Sequence, residues 1–492
     1  MIFSTIEFAI FMTVVFLVYW NIPQKYRYII LLIANTYFYA FYDVKYLIVL
    51  LITTVISYGA VLAMEKQTLL RKKGLFIMSV VITLAFLFAF KYLNFTIYSV
   101  EKVLSLFRMP VQTSTIRLIM PIGISFYTFE MVSYLTDVYR GTIHAERNFF
   151  KYALFVSFFP NISSGPIERA GHFIPQIDRE KVFDYDTAVY GTRLLLLGLF
   201  KKIVFADMLA KYVNAVFDHV PEMEGICFLW ATLLYTFQIY CDFSGYSDMA
   251  VGLAKMLGFD LVENFKSPYF AASIKEFWGR WHISLSSWLR DYVYIPLGGN
   301  RCSKRRRDFN LLVTFLVSGI WHGASWTFVL WGMIHGVCQV LENRIGELAK
   351  AVRAGKGNTA AVSAVKTSAD HSRSVTILKT LVTFCIVSFA WLFFRANSIS
   401  EAVRAVRYMF SDLSITNAML RMTMSWRSVV KTFLAIIAVM VYDYFSLKKD
   451  MLAELSKLKM PLRWAVYFIA GICVLAMAAN NGTAQEFIYF KF

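Results

Sequence analysis

The sequence predicts an all-α, polytopic integral membrane protein of roughly ten to twelve transmembrane helices with short or re-entrant helices among them. Three observations carry that fold class. The 492 residues are 58% hydrophobic and only 17% charged, with a mean hydropathy of +0.54, an apolar share above that of soluble domains. Apolar runs approaching the length of a spanning helix, about 20 residues, recur along the chain. Lys and Arg gather in the short connections between those runs.

In order, the apolar runs fall at 6–20, 28–41, 46–64, 75–95, 115–135, 194–204, 226–257, 309–341, 377–394, 430–447 and 464–479. Some are shorter than one crossing and some longer, so irregular elements are expected between true spans. The 45 Phe, 28 Tyr and 11 Trp suit a lipid-facing protein with aromatic belts at both interfaces. The first run starts almost at Met1 without a basic flank or a small-residue cleavage site, and reads as a first span, not a cleaved signal. The six Cys at 227, 241, 302, 338, 385 and 473 are scattered and form no CxxC pair. That pattern argues against a disulfide framework and a structural zinc site, so no metal is expected.

The net charge of +18 does not read as a nucleic-acid footprint, because it is confined to short connections. These are Lys25 with Arg27, Lys66 with Arg71 to Lys73, Lys304 to Arg307, 350–373 and 448–463. Loops rich in Lys and Arg stay cytoplasmic, and a basic loop can also attract an anionic cytosolic ligand. Placing 65–74 inside sends the N-terminus outside and puts Lys25 and Arg27 correctly inside. Placing 448–463 inside sends the last span outward and leaves the tail 480–492 extracytoplasmic. The chain reads as one membrane domain, 1–492, with a cytoplasmic basic loop at 346–374 and membrane lipid as its surroundings.

The run 309–341 has basic flanks on both sides, so both its ends should be cytoplasmic. Two full crossings need about 40 residues, and the run supplies 33. A re-entrant or short-helix hairpin turning near Trp321-His322-Gly323-Ala324-Ser325 fits better. Irregular backbone at membrane depth survives only when buried in protein or lining a cavity, which puts His322 at a cavity floor.

Of seven His, three lie among apolar and aromatic residues: His282, His322 and His335. An ionisable residue at membrane depth is costly and points to function. His322 is read that way, and His335 as a structural side chain on a helix face. His282 fits two readings equally. At helical spacing Trp278, His282, Leu285 and Leu289 share a face, so the segment could be an amphipathic interfacial helix with Trp belts. Without a thiolate cluster, H-E-x-x-H, P-loop or G-x-S-x-G, the residues favour general-base chemistry. A neutral imidazole can take the proton of a hydroxyl attacking a thioester, and a second imidazole or backbone N–H groups can stabilise the oxyanion.

Several blocks carry a family resemblance. Trp278-Gly279-Arg280-Trp281-His282, the stretch 290–301 with Arg290-Asp291-Tyr292 and Pro296-Leu297-Gly298-Gly299-Asn300-Arg301, and Ser318-Gly319-Ile320-Trp321-His322-Gly323 resemble the core of the membrane-bound O-acyltransferases. Upstream, Pro121-Ile122-Gly123-Ile124-Ser125-Phe126, Phe159-Pro160-Asn161 with Ser164-Gly165-Pro166-Ile167-Glu168-Arg169, and Asp242-Phe243-Ser244-Gly245-Tyr246-Ser247-Asp248 resemble its bacterial branch. That branch holds the alginate O-acetyltransferases and the D-alanyl transfer proteins of teichoic acid. The chain length and the ending Glu486-Phe487-Ile488-Tyr489-Phe490-Lys491-Phe492 look more like the alginate-acetylase type.

The resemblance implies a helical fold around a central funnel, a catalytic core at 120–345, His322 as principal catalytic residue and His282 as its partner. It implies no resident cofactor, with cytosolic acetyl-CoA as donor substrate, and a polymer outside, modified directly or through a partner such as an SGNH-type acetyltransferase. The basic residues Arg301, Arg305, Arg306 and Arg307 are candidates for attracting the donor phosphates. Tyr489 is a candidate acyl acceptor, since the tail faces outward and its ending resembles the C-terminal Phe-Ile-Tyr motif of small proteins in D-alanyl transfer. A D-alanyl carrier protein as donor is a second reading. A transporter without chemistry is a third, though transporters commonly show repeated halves and no internal repeat is evident.

Overall fold

Apolar composition becomes helix throughout. Among the described residues the only extended pairing is an isolated bridge between Phe265 and Trp281. The structure is a computed structural model and describes residues 1–109, 118, 120–355, 368–481 and 487–488. Six helices among these are long and apolar enough to cross a membrane. They are Val44–Glu65, Leu69–Leu106, Ile226–Met256, Arg373–Arg395, Trp426–Ser446 and Met460–Ala479, and Ile6–Asn21 is a shorter apolar helix. The sequence reading of roughly ten to twelve spans also takes in apolar runs that fold as shorter helices, among them Ile124–Arg140 and Tyr185–Phe200.

The chain packs as two compact units. The first comprises Met1–Val204, Phe243–Glu263 and Trp464–Phe492, and the second Phe205–Asp242 with Asn264–Arg463.

In the first unit, side chains of Thr5, Asp43, Asn148 and Asp184 accept from backbone N–H groups at the starts of their helices, satisfying donors that a helix end leaves open. Close helix packing rests on glycine. A Cβ on Gly198 would stand 2.4 Å from the carbonyl oxygen of Gly245, and one on Gly191 would stand 2.6 Å from that of Gly252. Two glycines seven residues apart on each helix of this antiparallel contact let the backbones touch, as small residues do between membrane helices.

The upstream sequence blocks converge within the same unit. Buried Glu130 accepts from Asn161 Nδ2 at 2.9 Å and from the backbone N–H of Glu168 at 3.2 Å. Glu168 in turn accepts from the backbone N–H of Val262 at 2.6 Å and pairs with His172 Nδ1 at 2.8 Å. Buried Glu130 thus ties the two ends of the 160–169 loop, through the Asn161 amide and the Glu168 N–H.

The tail also packs here. Phe487 and Ile488 are buried, and the Phe487 ring meets Phe243 at 5.8 Å and Tyr246 at 4.8 Å. Residues 489–492, Tyr489 among them, lie outside the described residues.

In the second unit, the helices Lys304–His322 and Trp326–Gly355 form a hairpin turning at Gly323-Ala324-Ser325, and at 19 and 30 residues they are longer than the short-helix reading of 309–341 expects. Gly319 and Gly332 let the two approach: a Cβ on either would stand 2.4 Å from a carbonyl oxygen of the other helix. The expectation of a loop at 346–374 is corrected at both ends, where 346–355 and 368–374 are helical. Residues 356–367 lie outside the described residues.

Candidate active site

His322 is the last residue of the first hairpin helix and is 2% exposed. Its ring sits among Trp321, Trp331 and Phe394, with centroids at 5.0, 4.8 and 5.2 Å. The turn behind it is tight for a reason. A Cβ on Gly323 would stand 2.2 Å from the Phe328 ring, so the motif needs glycine directly after the histidine.

His282 is fully buried, and the structure corrects the continuous-helix reading of its segment. The helix Ile274–Trp278 stops, Trp281 bridges to Phe265, and His282 adopts a left-handed conformation (φ 43°, ψ 55°) before the helix Ile283–Leu289. Non-glycine residues pay an energetic penalty there, although His tolerates the region better than most. The break is held from outside: Asn264 takes the Ile283 N–H on its backbone oxygen at 3.0 Å and the Ser284 hydroxyl on Oδ1 at 2.6 Å. Lys266 N–H donates to the Arg280 carbonyl at 3.0 Å. Such a strained residue, over-determined by its surroundings, is a mark of a functional position.

One indole ring joins the two histidines. Trp321 lies 5.9 Å from the His282 ring and 5.0 Å from the His322 ring. His335, also fully buried, accepts from Trp278 Nε1 at 3.4 Å and stacks on Phe277 at 6.2 Å. These are the contacts of a packed structural side chain.

A cavity of about 610 Å³ opens along the first hairpin helix. Its lining includes Arg307, Leu311, Thr314, Phe315 and Ser318 from that helix, and Gln339 and Asn343 from the second. Trp278, Arg290 and Tyr294 contribute from the block around His282. Arg290 to Tyr294 is a π-helical turn, a distortion common at functional sites. Ser318 stands four residues before His322, so the cavity ends on the same helix face one turn away.

The basic candidates separate. Arg301, Arg305 and Arg306 are exposed, with Arg306 over the Phe309 ring at 5.3 Å. Arg307 alone of the four borders the cavity. It is fixed by Glu347 at 2.8 Å and Asp308 at 3.4 Å, and Lys304 reaches Glu347 at 3.1 Å. Hydrogen bonds from Arg307 and Lys304 hold the Glu347 carboxyl below the usual carboxylate range. Sequence reasoning missed Gln339, Ser318 and Lys275 as cavity residues. Spacing offered a signal for two of them, since Ser318 precedes His322 by one turn and Gln339 follows His335 by one.

Residues 106–365 match the model of MBOAT, the membrane-bound O-acyltransferase family. The chain is 39% identical over 415 residues to the "probable alginate O-acetylase" of Pseudomonas aeruginosa, covering 84% of this chain and 75% of that protein. It is 33% identical to the peptidoglycan O-acetyltransferase of Helicobacter pylori, covering 77% and 73%. With the teichoic acid D-alanyltransferase of Bacillus subtilis it shares 28% identity over 56% of this chain and 68% of that one. With the paired buried histidines set around one indole, the matches identify this chain as an O-acyltransferase belonging to the membrane-bound O-acyltransferase family.

Proposed function

We propose that the protein takes the acetyl group of cytosolic acetyl-CoA for the O-acetylation of an extracytoplasmic polysaccharide. The observation that carries this reading is the cavity beside the helix Lys304–His322, bordered by Arg307 at one level and by Ser318, one turn before His322, at the other. At a rise of 1.5 Å per residue that path is about 16 Å, suited to an extended phosphopantetheine arm. Arg307, Arg290 and Lys275 in the lining supply positive charge for the donor's phosphates. The relatives named for O-acetyl transfer favour acetyl over D-alanyl as the group moved.

In this reaction His322 removes the proton of an attacking hydroxyl as its oxygen bonds to the thioester carbonyl carbon. His282 orients the site or donates to the oxyanion of the tetrahedral intermediate. The C–S bond then breaks, the imidazolium returns its proton to the departing thiolate, and CoA leaves as the free thiol. Tyr489 is the hydroxyl we assign to the attack: a phenol, with a reference pKa near 10, ionises more readily than a sugar hydroxyl, and its ester is a reactive donor. The buried anchors Phe487 and Ile488 support a tail folded back onto the protein. Phe3 and Phe487 flank the same Tyr246 ring, which supports both termini lying on one side of the membrane, the outer side in this reading. From there the acetyl group passes to the polymer through an SGNH-type or similar partner.

The test is acetyl-CoA-dependent release of free thiol by the protein in nanodiscs. Thiol release that labels the protein or an added acceptor is the expected result. No release from acetyl-CoA, with release from a D-alanyl carrier protein, would move the function to the second donor. No release from either would leave a transporter.

A further inference from the structure

The cavity holds polar atoms that its own walls leave unused. Three hydroxyls in the lining are spent on backbone carbonyls: Thr314 on Asn310 at 2.7 Å, Ser287 on Ser284 at 2.8 Å and Ser286 on Trp281 at 3.3 Å. Ser318 behaves differently. It is 1% exposed, and its Oγ makes no hydrogen bond to any described residue. The same holds for buried Gln339 Oε1 and Arg307 Nε, both in the same lining. A buried polar atom without a partner is costly, and three around one cavity describe a wall made for a polar ligand.

Their order along the cavity gives the ligand's pattern. The hairpin is antiparallel, with Gly336 against Leu312 and Glu347 against Arg307. Gln339 therefore sits at a level between Arg307 and Ser318. A cation comes first, then an amide acceptor, then a hydroxyl one turn from His322. A phosphopantetheine arm presents the matching series of phosphate, two secondary amides and thioester.

We propose that Gln339 and Ser318 are the residues that recognise the two amides of the donor arm. Gln339 Oε1 accepts from the amide N–H nearer the phosphate, and the Ser318 hydroxyl donates to the amide carbonyl nearer the thioester. This rests on the reading of the cavity as the donor site, and it assigns no role in the bond-making step to either residue. They set where the thioester stops relative to His322. The arm is common to CoA and to acyl carrier proteins, so the assignment holds for either donor.

The experiment measures CoA binding to the full-length protein in nanodiscs by calorimetry, for wild type, Gln339→Leu and Ser318→Ala. Each variant should bind CoA about tenfold more weakly, the effect of one lost hydrogen bond. In turnover, each should raise KM for acetyl-CoA with a much smaller change in kcat. For Gln339→Leu the ratio of variant to wild-type KM should fall to unity with S-acetyl-N-acetylcysteamine, which keeps only the amide nearer the thioester. For Ser318→Ala it should persist with that donor and fall to unity with ethyl thioacetate, which has no amide. A ratio equal across all three donors would overturn the proposal, because it would report a hairpin packing defect. Unchanged CoA affinity in both variants, with wild type binding CoA, would overturn the amide assignment alone. A wild type that binds no CoA would remove the donor-site reading beneath it as well.

Discussion

The Phe487 ring lies 4.8 Å from the ring of Tyr246, which also stacks on Phe3 at 4.6 Å. All three are buried, and the Tyr246 hydroxyl shares a 2.6 Å hydrogen bond with Ser163. The Asp242–Asp248 block thus holds the C-terminal tail two residues before Tyr489. Phe487→Ala should undock the tail and cut polymer acetylation as severely as Tyr489→Phe, whereas Phe487→Leu should keep most of it. Acetyl ester content of the polymer is the measurement. Wild-type acetylation by Phe487→Ala would show that the docked tail has no part in transfer.

His282 combines a chemical and a conformational demand, and two substitutions separate them. His282→Ala and His282→Gly both lack the imidazole, so both should slow transfer strongly. Only alanine also meets the left-handed backbone, which disfavours a Cβ by about 1 kcal/mol. Thermal unfolding should therefore rank His282→Gly at or above His282→Ala. The reverse order would mean that the break relaxes once the ring is gone.

Gly198 and Gly245 should tolerate nothing larger. Gly198→Leu drives its side chain into the Gly245 carbonyl, 2.4 Å from the first added carbon. It should abolish accumulation of folded protein. Gly59→Ala and Gly74→Ala, where an added Cβ meets nothing within 4 Å, should accumulate normally. Size-exclusion profiles of the three proteins decide this.

His172 gives the protein a pH dependence outside its membrane-spanning helices. Its hydrogen bond to Glu168 raises its pKa above the ordinary histidine value. The stability it contributes is fully present below the unfolded-state pKa, near 6.5, and is lost as pH rises through the folded-state value. The melting temperature should fall modestly over that window, since the ring is half-exposed. His172→Gln should flatten the trend. An unchanged trend in that variant would assign the pH dependence to other groups.

Much of the fold was legible because its determinants are local. Hydrophobic runs marked the long helices, and basic flanks around 309–341 marked a hairpin with its turn near 321–325, though not the length of its helices. The break at His282 was not legible. Trp278, His282, Leu285 and Leu289 satisfy helical spacing, and the Asn264 carbonyl and side chain that hold the break lie upstream of that window, 20 residues before Ser284. Likewise Arg301, Arg305, Arg306 and Arg307 look alike in a basic run. Arg307 alone of the four lines the cavity, and its partner Glu347 stands on the next helix. Ser318 and Gln339 stand at visible spacings from histidines, but the absence of a bonding partner is a tertiary property.

His322→Ala tests the proposed chemistry most directly. The variant should purify as a folded protein with the wild-type size-exclusion profile. Loss of a general base should lower acetyl-CoA-dependent thiol release by about 10²- to 10⁴-fold, with polymer acetylation falling to background. Thiol release and acetylation near wild-type levels in a folded His322→Ala protein would contradict it.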